Sequence, residues 1–251
     1  MDAFELSAVV AWAFVVSLVG GVVGLVLGNL RLPLILVFAS SPAAGAGANV
    51  AISGAAALAS AGRHLTAGRI DWRLFRWMAP TSLAGAIGGG LISGEVPDQP
   101  LLIAIGLLIL YGAWEVFRHD AGGVEPPPPG ARAHLVNAAV VGIAVGLLGG
   151  FVGLILGSLR LPALVKYAGI TPYAAIGTNA GVGVVVGLGG LIGHLPSGID
   201  WDLFAAGCAG GVPGAYLGAQ LTGRLAEHVL LTACAVVLVV SGTAVLVQAL
   251  V

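Results

Sequence analysis

Two arginines stand out in an otherwise apolar chain because each lies in a nearly identical short segment. Segment 28–33 reads Gly-Asn-Leu-Arg-Leu-Pro, and segment 157–162 reads Gly-Ser-Leu-Arg-Leu-Pro. An arginine in hydrocarbon surroundings is costly and usually serves a function there. Arg31 and Arg160 can each bind a small oxyanion through two parallel hydrogen bonds, so we expect them to converge on one anion. The alternative is that both side chains extend to the membrane surface and contact phospholipid headgroups.

The same two segments predict a break in the helical backbone. Each has a glycine before its arginine and a proline after it: Gly28 with Pro33, and Gly157 with Pro162. Because proline is favoured in the first turn of a helix, short helices are expected at 32–39 and 161–168, each after a tight turn at the glycine. Helices of this length cannot cross a bilayer, which predicts re-entrant half-helices whose N-termini favour an anion.

Three further polar residues follow the breaks: Asn49, Thr178 and Asn179. An amide or hydroxyl group in lipid needs a hydrogen-bond partner, so these residues are either substrate ligands or contacts between helices. His64 and His194 flank the ends of apolar stretches at equivalent places. They are candidates for a proton relay, although histidine is also common at membrane interfaces.

The composition predicts an all-α integral membrane protein. Apolar residues make up 58% of the 251 residues, charged residues only 8%, and the mean hydropathy is +1.04. A soluble domain carries about 25% charged residues. A membrane-spanning helix needs roughly 20 predominantly apolar residues. The candidate spans are 6–29, 43–62, 74–94, 100–118, 134–157, 172–193, 203–222 and 226–250.

These eight spans are expected to form two homologous four-helix repeats. Two separate pairs of matching segments share an offset of 129 residues, one pair at Arg31 and Arg160, the other at Asp71 and Asp200. A run of four prolines lies between the halves and cannot continue a helix. The predicted units are a first repeat at 1–118, a proline-rich linker at 119–133 and a second repeat at 134–251.

Four spans per half would make the repeats parallel and place the linker on the same side as both termini. A modest excess of Lys and Arg on that side predicts that both termini are cytoplasmic. Inverted repeats are the alternative, if the segments after Arg31 and Arg160 add a crossing.

The sequence predicts no enzyme, cofactor or metal site. It lacks H-E-x-x-H, G-x-S-x-G and Walker motifs. Cys208 and Cys234 are isolated, so no metal or redox pair is indicated, and no basic tail predicts a nucleic-acid partner. A transporter therefore competes with a non-transporting membrane assembly subunit, with a carrier of an unrelated small anion and, more weakly, with an intramembrane enzyme.

The four-span unit, its glycine-rich first helix ending near a proline, and a second copy after a hydrophilic linker resemble the TauE/SafE family. The resemblance covers nearly the whole chain and implies a multi-pass inner-membrane transporter of sulfite, sulfonates or related anions. Where the family has a glycine triplet before the proline, this chain has Gly-Asn-Leu-Arg at 28–31 and Gly-Ser-Leu-Arg at 157–160. We expect alternating access around a site between the repeats, with a small anion and the lipid bilayer as partners. The sequence also allows a homo-oligomer.

Overall fold

The structure is a computed structural model that describes residues 3–91, 98–118, 132–152, 154–168, 170–195 and 198–250. Within these ranges the secondary structure is entirely helical, which confirms the all-α prediction. The helices are α1 Ala3–Val23, α2 Gly28–Phe38, α3 Pro42–Thr66, α4 Trp72–Leu91, α5 Asp98–Phe117, α6 Arg132–Val152, α7 Gly157–Tyr167, α8 Pro172–His194, α9 Trp201–Thr222 and α10 Glu227–Leu250. Residues 119–131 of the predicted linker lie outside the described residues.

A long helix lies in each of the eight apolar stretches that the sequence singled out. By length and composition, four of the described helices can cross a membrane: α1, α8, α10 and residues Ala44–Thr66 of α3. The two short helices, α2 and α7, have 11 residues each and begin at the two arginine segments.

Helices α3 and α8 pack against each other and run in opposite directions. Gly47, near the start of α3, lies against His194 at the end of α8, and Gly54 further along α3 lies against Gly187. Helices α5 and α10 are antiparallel in the same way, because Gly106 lies against Leu246 whereas Leu110 lies against Gly242.

Helices α1 and α9 instead run in the same direction. Gly210 lies against Val10, and Gly218, two turns later, lies against Val22. Helices α4 and α6 are also parallel to each other and approach closely through glycines, since Gly85 lies against Leu147 and Gly142 against Met78. At such glycines the backbones are in direct contact, which is how small residues hold helices together in lipid.

Residues 24–38 carry the chain back from the end of α1 to the end where α1 began. Gly24 makes the turn with a φ of 65°, and residues 25–27 are not helical. The indole Nε1–H of Trp12 donates to the carbonyl of Leu30 at 3.1 Å, and Phe38 packs in the cluster that contains Val9. Four non-helical residues and eleven helical residues span roughly 30 Å, the thickness of the hydrocarbon core.

The short helices are therefore not re-entrant, and they begin earlier than expected. Helix α2 starts at Gly28 rather than at Leu32, and α7 starts at Gly157 rather than at Leu161. Each helix lies beside the preceding long helix and completes a full pass together with the non-helical residues before it.

Pro33 and Pro162 consequently lie inside α2 and α7 and do not begin them. A proline within a helix leaves the carbonyl four residues earlier without its usual donor. For Pro33 that carbonyl belongs to Asn29, and the side-chain amide of Gln248 on α10 donates to it at 2.9 Å. A neighbouring helix thus pairs the backbone group that the proline leaves free, as a membrane interior requires.

The parallel arrangement favoured from the sequence is wrong. Each half passes through the bundle five times, because the extra pass formed by a short helix makes the number odd. Corresponding helices of the two halves, such as α3 and α8, accordingly run in opposite directions.

With the helix directions corrected, the Lys and Arg residues of the loops lie at one end of the bundle. We call the end at which α1, α3, α5 and α9 finish the basic end. The chain has ten Lys and Arg residues, and all except Arg31 and Arg160 lie at or near the basic end: Arg63, Arg69, Arg73, Arg76, Arg118, Arg132, Lys166 and Arg224. The opposite end, which holds both termini, has none of them.

Because Lys and Arg favour the cytoplasmic side, we expect the basic end to face the cytoplasm and both termini to face away from it. Reporter fusions at residue 122 should then report cytoplasm, whereas fusions at the C-terminus should not. Fusions in the two corresponding loops, at residues 68 and 198, provide a matched pair that should differ in the same way. A cytoplasmic signal from both residue 122 and the C-terminus would contradict the inverted arrangement.

Candidate anion site

Arg31 is buried in the middle of the bundle, with 2% of its surface exposed. Its Nε–H donates to Oδ1 of Asn49 at 3.0 Å. Its Nη2 group donates to the backbone carbonyl of Asn49 at 3.0 Å and to the Ser53 hydroxyl at 2.6 Å. The amide of Asn49 in turn donates to the carbonyl of Gly28, at the start of α2, at 3.1 Å. This unit joins the broken backbone to α3.

Arg160 forms the same unit in the second half and is 1% exposed. Its Nε–H donates to Oδ1 of Asn179 at 3.1 Å. The amide of Asn179 donates to the carbonyl of Gly157 at 3.2 Å and to that of Gly24 at 2.8 Å. Because Gly24 belongs to the first half, this one side chain connects the breaks of both halves.

Neither arginine reaches a surface, so contact with lipid headgroups is contradicted for both. Among the described residues neither guanidinium group is paired with a carboxylate, and Nη2 of Arg160 has no hydrogen-bond partner at all. A buried cation without a counter-charge is expensive. The interior of this bundle therefore carries two positive charges that an anion would neutralise.

The N-termini of α2 and α7 meet at one small internal cavity. Its lining includes Gly28 and Asn29 from the first half and Leu156 and Ser158 from the second. The cavity has room for about one water molecule, so the structure is closed around it. Helix N-termini present free N–H groups and a partial positive charge, which adds to the attraction for an anion.

Gly28 and Gly157 do not make the tight turns predicted for them, since neither has a positive φ. Their lack of a side chain serves a different purpose. A Cβ on Gly28 would lie 2.8 Å from the Ser53 hydroxyl oxygen, and one on Gly157 would lie 3.0 Å from Nδ2 of Asn179. The turn of the first half is made by Gly24, and its counterpart Gly153 lies outside the described residues.

The hydroxyl of Thr178 does not bond to either guanidinium group. Its hydroxyl accepts from the backbone N–H of Asp71 at 2.9 Å and so joins α8 to the loop that precedes α4. Of the predicted ligand residues, the structure brings together Arg31 with Asn49 and Arg160 with Asn179, whereas Thr178 bonds to the loop before α4.

The two histidines differ in their surroundings. His64 is completely buried near the basic end, and neither of its ring nitrogens has a partner. Nδ1 of His194 lies 2.9 Å from the carbonyl of Gly190, one turn earlier in α8, and the residue is only partly buried. Ser60, one turn before His64, also has an unpartnered hydroxyl and lines a second small cavity beside Arg31.

Sequence reasoning missed Ser53 and Gly24, both of which contact the arginine units. The signal for Ser53 was its position four residues after Asn49, on the same face of α3. Gly24 gave no separate signal, because it lies within a glycine-rich helix end where several residues could make the turn.

We expect Asn179→Ala to destabilise the fold more than Asn49→Ala. Both changes remove the acceptor of an arginine Nε–H, but only Asn179→Ala also leaves the carbonyl of Gly24, which lies outside the helices, without its donor. Since each buried group left unpaired costs about 1–3 kcal/mol, the difference should be at least about 1 kcal/mol. Thermal unfolding of purified protein in detergent measures it, with the exposed Asn137→Ala as control. Equal stability of the Asn179→Ala and Asn49→Ala proteins would contradict this role.

The geometry thus consists of two buried arginines, each held by an asparagine, at the facing starts of two short helices. A family profile described as sulfite exporter TauE/SafE matches residues 9–245 of the chain, which includes both arginine units. No curated protein and no solved structure gives a significant match. The match confirms the resemblance noted from the sequence and, together with the membrane-capable helices, indicates a multi-pass membrane protein of a transporter family. The chain belongs to the sulfite exporter TauE/SafE family.

Proposed function

We propose that this protein moves a small sulfur-containing oxyanion, such as sulfite or a sulfonate, across the inner membrane by alternating access around Arg31 and Arg160. The observation that carries the proposal is the pair of buried guanidinium groups without a carboxylate partner at the starts of α2 and α7. An anion with two or three oxygens can accept several of the available N–H groups, and charge-assisted bonds of this kind are strong in a dry site.

The charge of the site also argues against other substrates. A cation would be repelled by both arginines and by the two helix N-termini. A non-transporting assembly subunit would gain nothing from two buried cations, which lower stability unless they are paired.

Alternating access is supported by the way in which the halves pack. We infer that 1–118 and 134–251 are homologous inverted repeats. Each pair of helices that packs together has a counterpart made of the helices at the same positions in the opposite halves. Helix α1 packs on α9 as α6 packs on α4, α3 on α9 as α8 on α4, and α2 on α10 as α7 on α5. Many transporters are built from inverted repeats with broken helices at the midplane, and rocking of one part against the other opens the site to each side in turn.

A proton relay, if the transport uses one, is assigned to His64 rather than to His194. The buried ring of His64 has two free nitrogens, and the adjacent Ser60 reaches the cavity that Arg31 lines. An imidazole with both ring nitrogens free can accept a proton at one nitrogen and donate one from the other.

The proposal predicts saturable transport of sulfite by the purified protein in proteoliposomes. Sulfite should be transported faster than acetate or chloride, since sulfite has three oxygens that accept hydrogen bonds, acetate has two and chloride has none. Sulfate and taurine complete the panel, and each anion is tested with and without a pH gradient. Liposomes with an Arg31→Ala/Arg160→Ala double variant serve as the control. Equal fluxes of all anions in the wild-type and control liposomes would overturn the proposal.

Single substitutions of Arg31 and Arg160 should weaken sulfite binding. A hydrogen bond to a charged group contributes about 1.5–3 kcal/mol, so an alanine at either position should weaken binding roughly tenfold or more. Lysine retains the charge but not the planar fork, and it should restore the affinity only in part. Titration of sulfite into the four purified variants at matched concentration measures this. Wild-type affinity in all four would place the binding site elsewhere.

A further inference from the structure

The two arginine units differ in the hydrogen bonds made by Nη2 of the arginine. In the first half, both N–H groups of Arg31 Nη2 are used, one by the Asn49 carbonyl and one by the Ser53 hydroxyl. In the second half, Nη2 of Arg160 is buried and has no partner among the described residues. The bonds from Nε to the asparagines are otherwise alike, at 3.0 Å and 3.1 Å.

One part of the difference lies one helical turn beyond each asparagine. Ser53 follows Asn49 by four residues on α3 and supplies a hydroxyl to Arg31. The residue four positions after Asn179 on α8 is Gly183, which has no side chain to offer. In the second half Asn179 still orients the guanidinium group of Arg160, but Nη2 of that group has no acceptor.

We propose that Nη2 of Arg160 is the primary protein ligand of the transported anion, and that Arg31 mainly supplies positive charge and holds the first break. This assignment rests on the proposed function. A buried donor without an acceptor is costly, and an oxygen of the anion would supply the missing one. To use Nη2 of Arg31 in the same way, the anion would first have to displace two protein hydrogen bonds. Arg160 is instead oriented through Nε by Asn179 while its Nη2 is unpaired, so an anion that reaches it breaks no protein hydrogen bond there.

The space around Gly183 allows the idea to be tested by adding the missing hydroxyl. A Cβ at this position would lie 3.5 Å from Cβ of Ala57 and 3.5 Å from Cγ2 of Val26, which is ordinary van der Waals contact. Gly183→Ser adds a hydroxyl at the position on α8 that corresponds to Ser53 on α3, four residues after the asparagine. Gly183→Ala adds the same carbon without the oxygen and is the matched control.

Sulfite binding to the purified proteins in detergent, measured by calorimetric titration, should be about tenfold or more weaker for Gly183→Ser than for Gly183→Ala. The serine hydroxyl occupies the donor that the anion needs. Gly193→Ser makes the same substitution on the same helix at a position with open space around it. It should bind sulfite as the wild-type protein does.

The outcomes separate this inference from the function on which it rests. If the wild-type protein binds sulfite and Gly183→Ser binds it as well as Gly183→Ala does, the assignment to Arg160 fails and the proposed function stands. If the wild-type protein binds none of the anions in the panel, both fail. Should Gly183→Ser not fold, Arg160→Lys and Arg31→Lys are compared in the same titration. A larger loss of affinity in Arg160→Lys supports the inference, and equal losses overturn it.

Discussion

A helix that breaks inside a membrane must pair the backbone groups that the break leaves free, because lipid offers no water to do so. In this protein the free carbonyls at the end of α1 are paired by the N–H of Leu25 and the hydroxyl of Thr222, and the carbonyl of Gly24 by the amide of Asn179. The oxygen of the same amide accepts from Arg160, which is thereby confined to the interior with its charge. The pairing of the broken backbone and the placement of a buried positive charge thus depend on one side chain.

The connection between the halves depends on the same interaction. Asn179 also donates to the carbonyl of Gly24, so the turn of the first half is held by a side chain of the second. A movement that separates the halves must break or replace this bond. An anion that bridges the two units would offer new partners to the groups such a movement exposes.

Much of the candidate site was predictable from the sequence, because a charged or amide side chain in an apolar chain is rare enough to be informative. Arg31, Arg160 and the two asparagines were found in this way. The partners within each unit were not, since the distance along the chain from Arg31 to Asn49 says nothing about how α2 folds back beside α3. Thr178 was misleading for a related reason: it neighbours Asn179 in the sequence but lies on a different face of α8 and bonds to a loop.

The fold was predicted correctly for the long helices and incorrectly for their directions. A search for apolar stretches of about 20 residues cannot detect a pass made of four non-helical residues and a helix of eleven. Residues 24–27 continue the apolar pattern of α1, and nothing in their composition marks the turn at Gly24. Missing one pass in each half changed the parity of the count within each half, and with it the predicted side, relative to the N-terminus, of the loops between the two missed passes.

The odd number of passes is what allows the site to exist. With an even number, α2 and α7 would enter the bundle from the same side, and their N-termini would lie next to each other with the helices side by side. With five passes in each half, α2 and α7 both begin at one cavity and run away from it in opposite directions. The same parity places the loop before α4 against the start of α8, through Asp71 and Thr178, and the loop before α9 against the start of α3, through Asp200 and Ala44. The site between the short helices and the segregation of the surface charges are therefore both consequences of one extra, half-helical pass in each half.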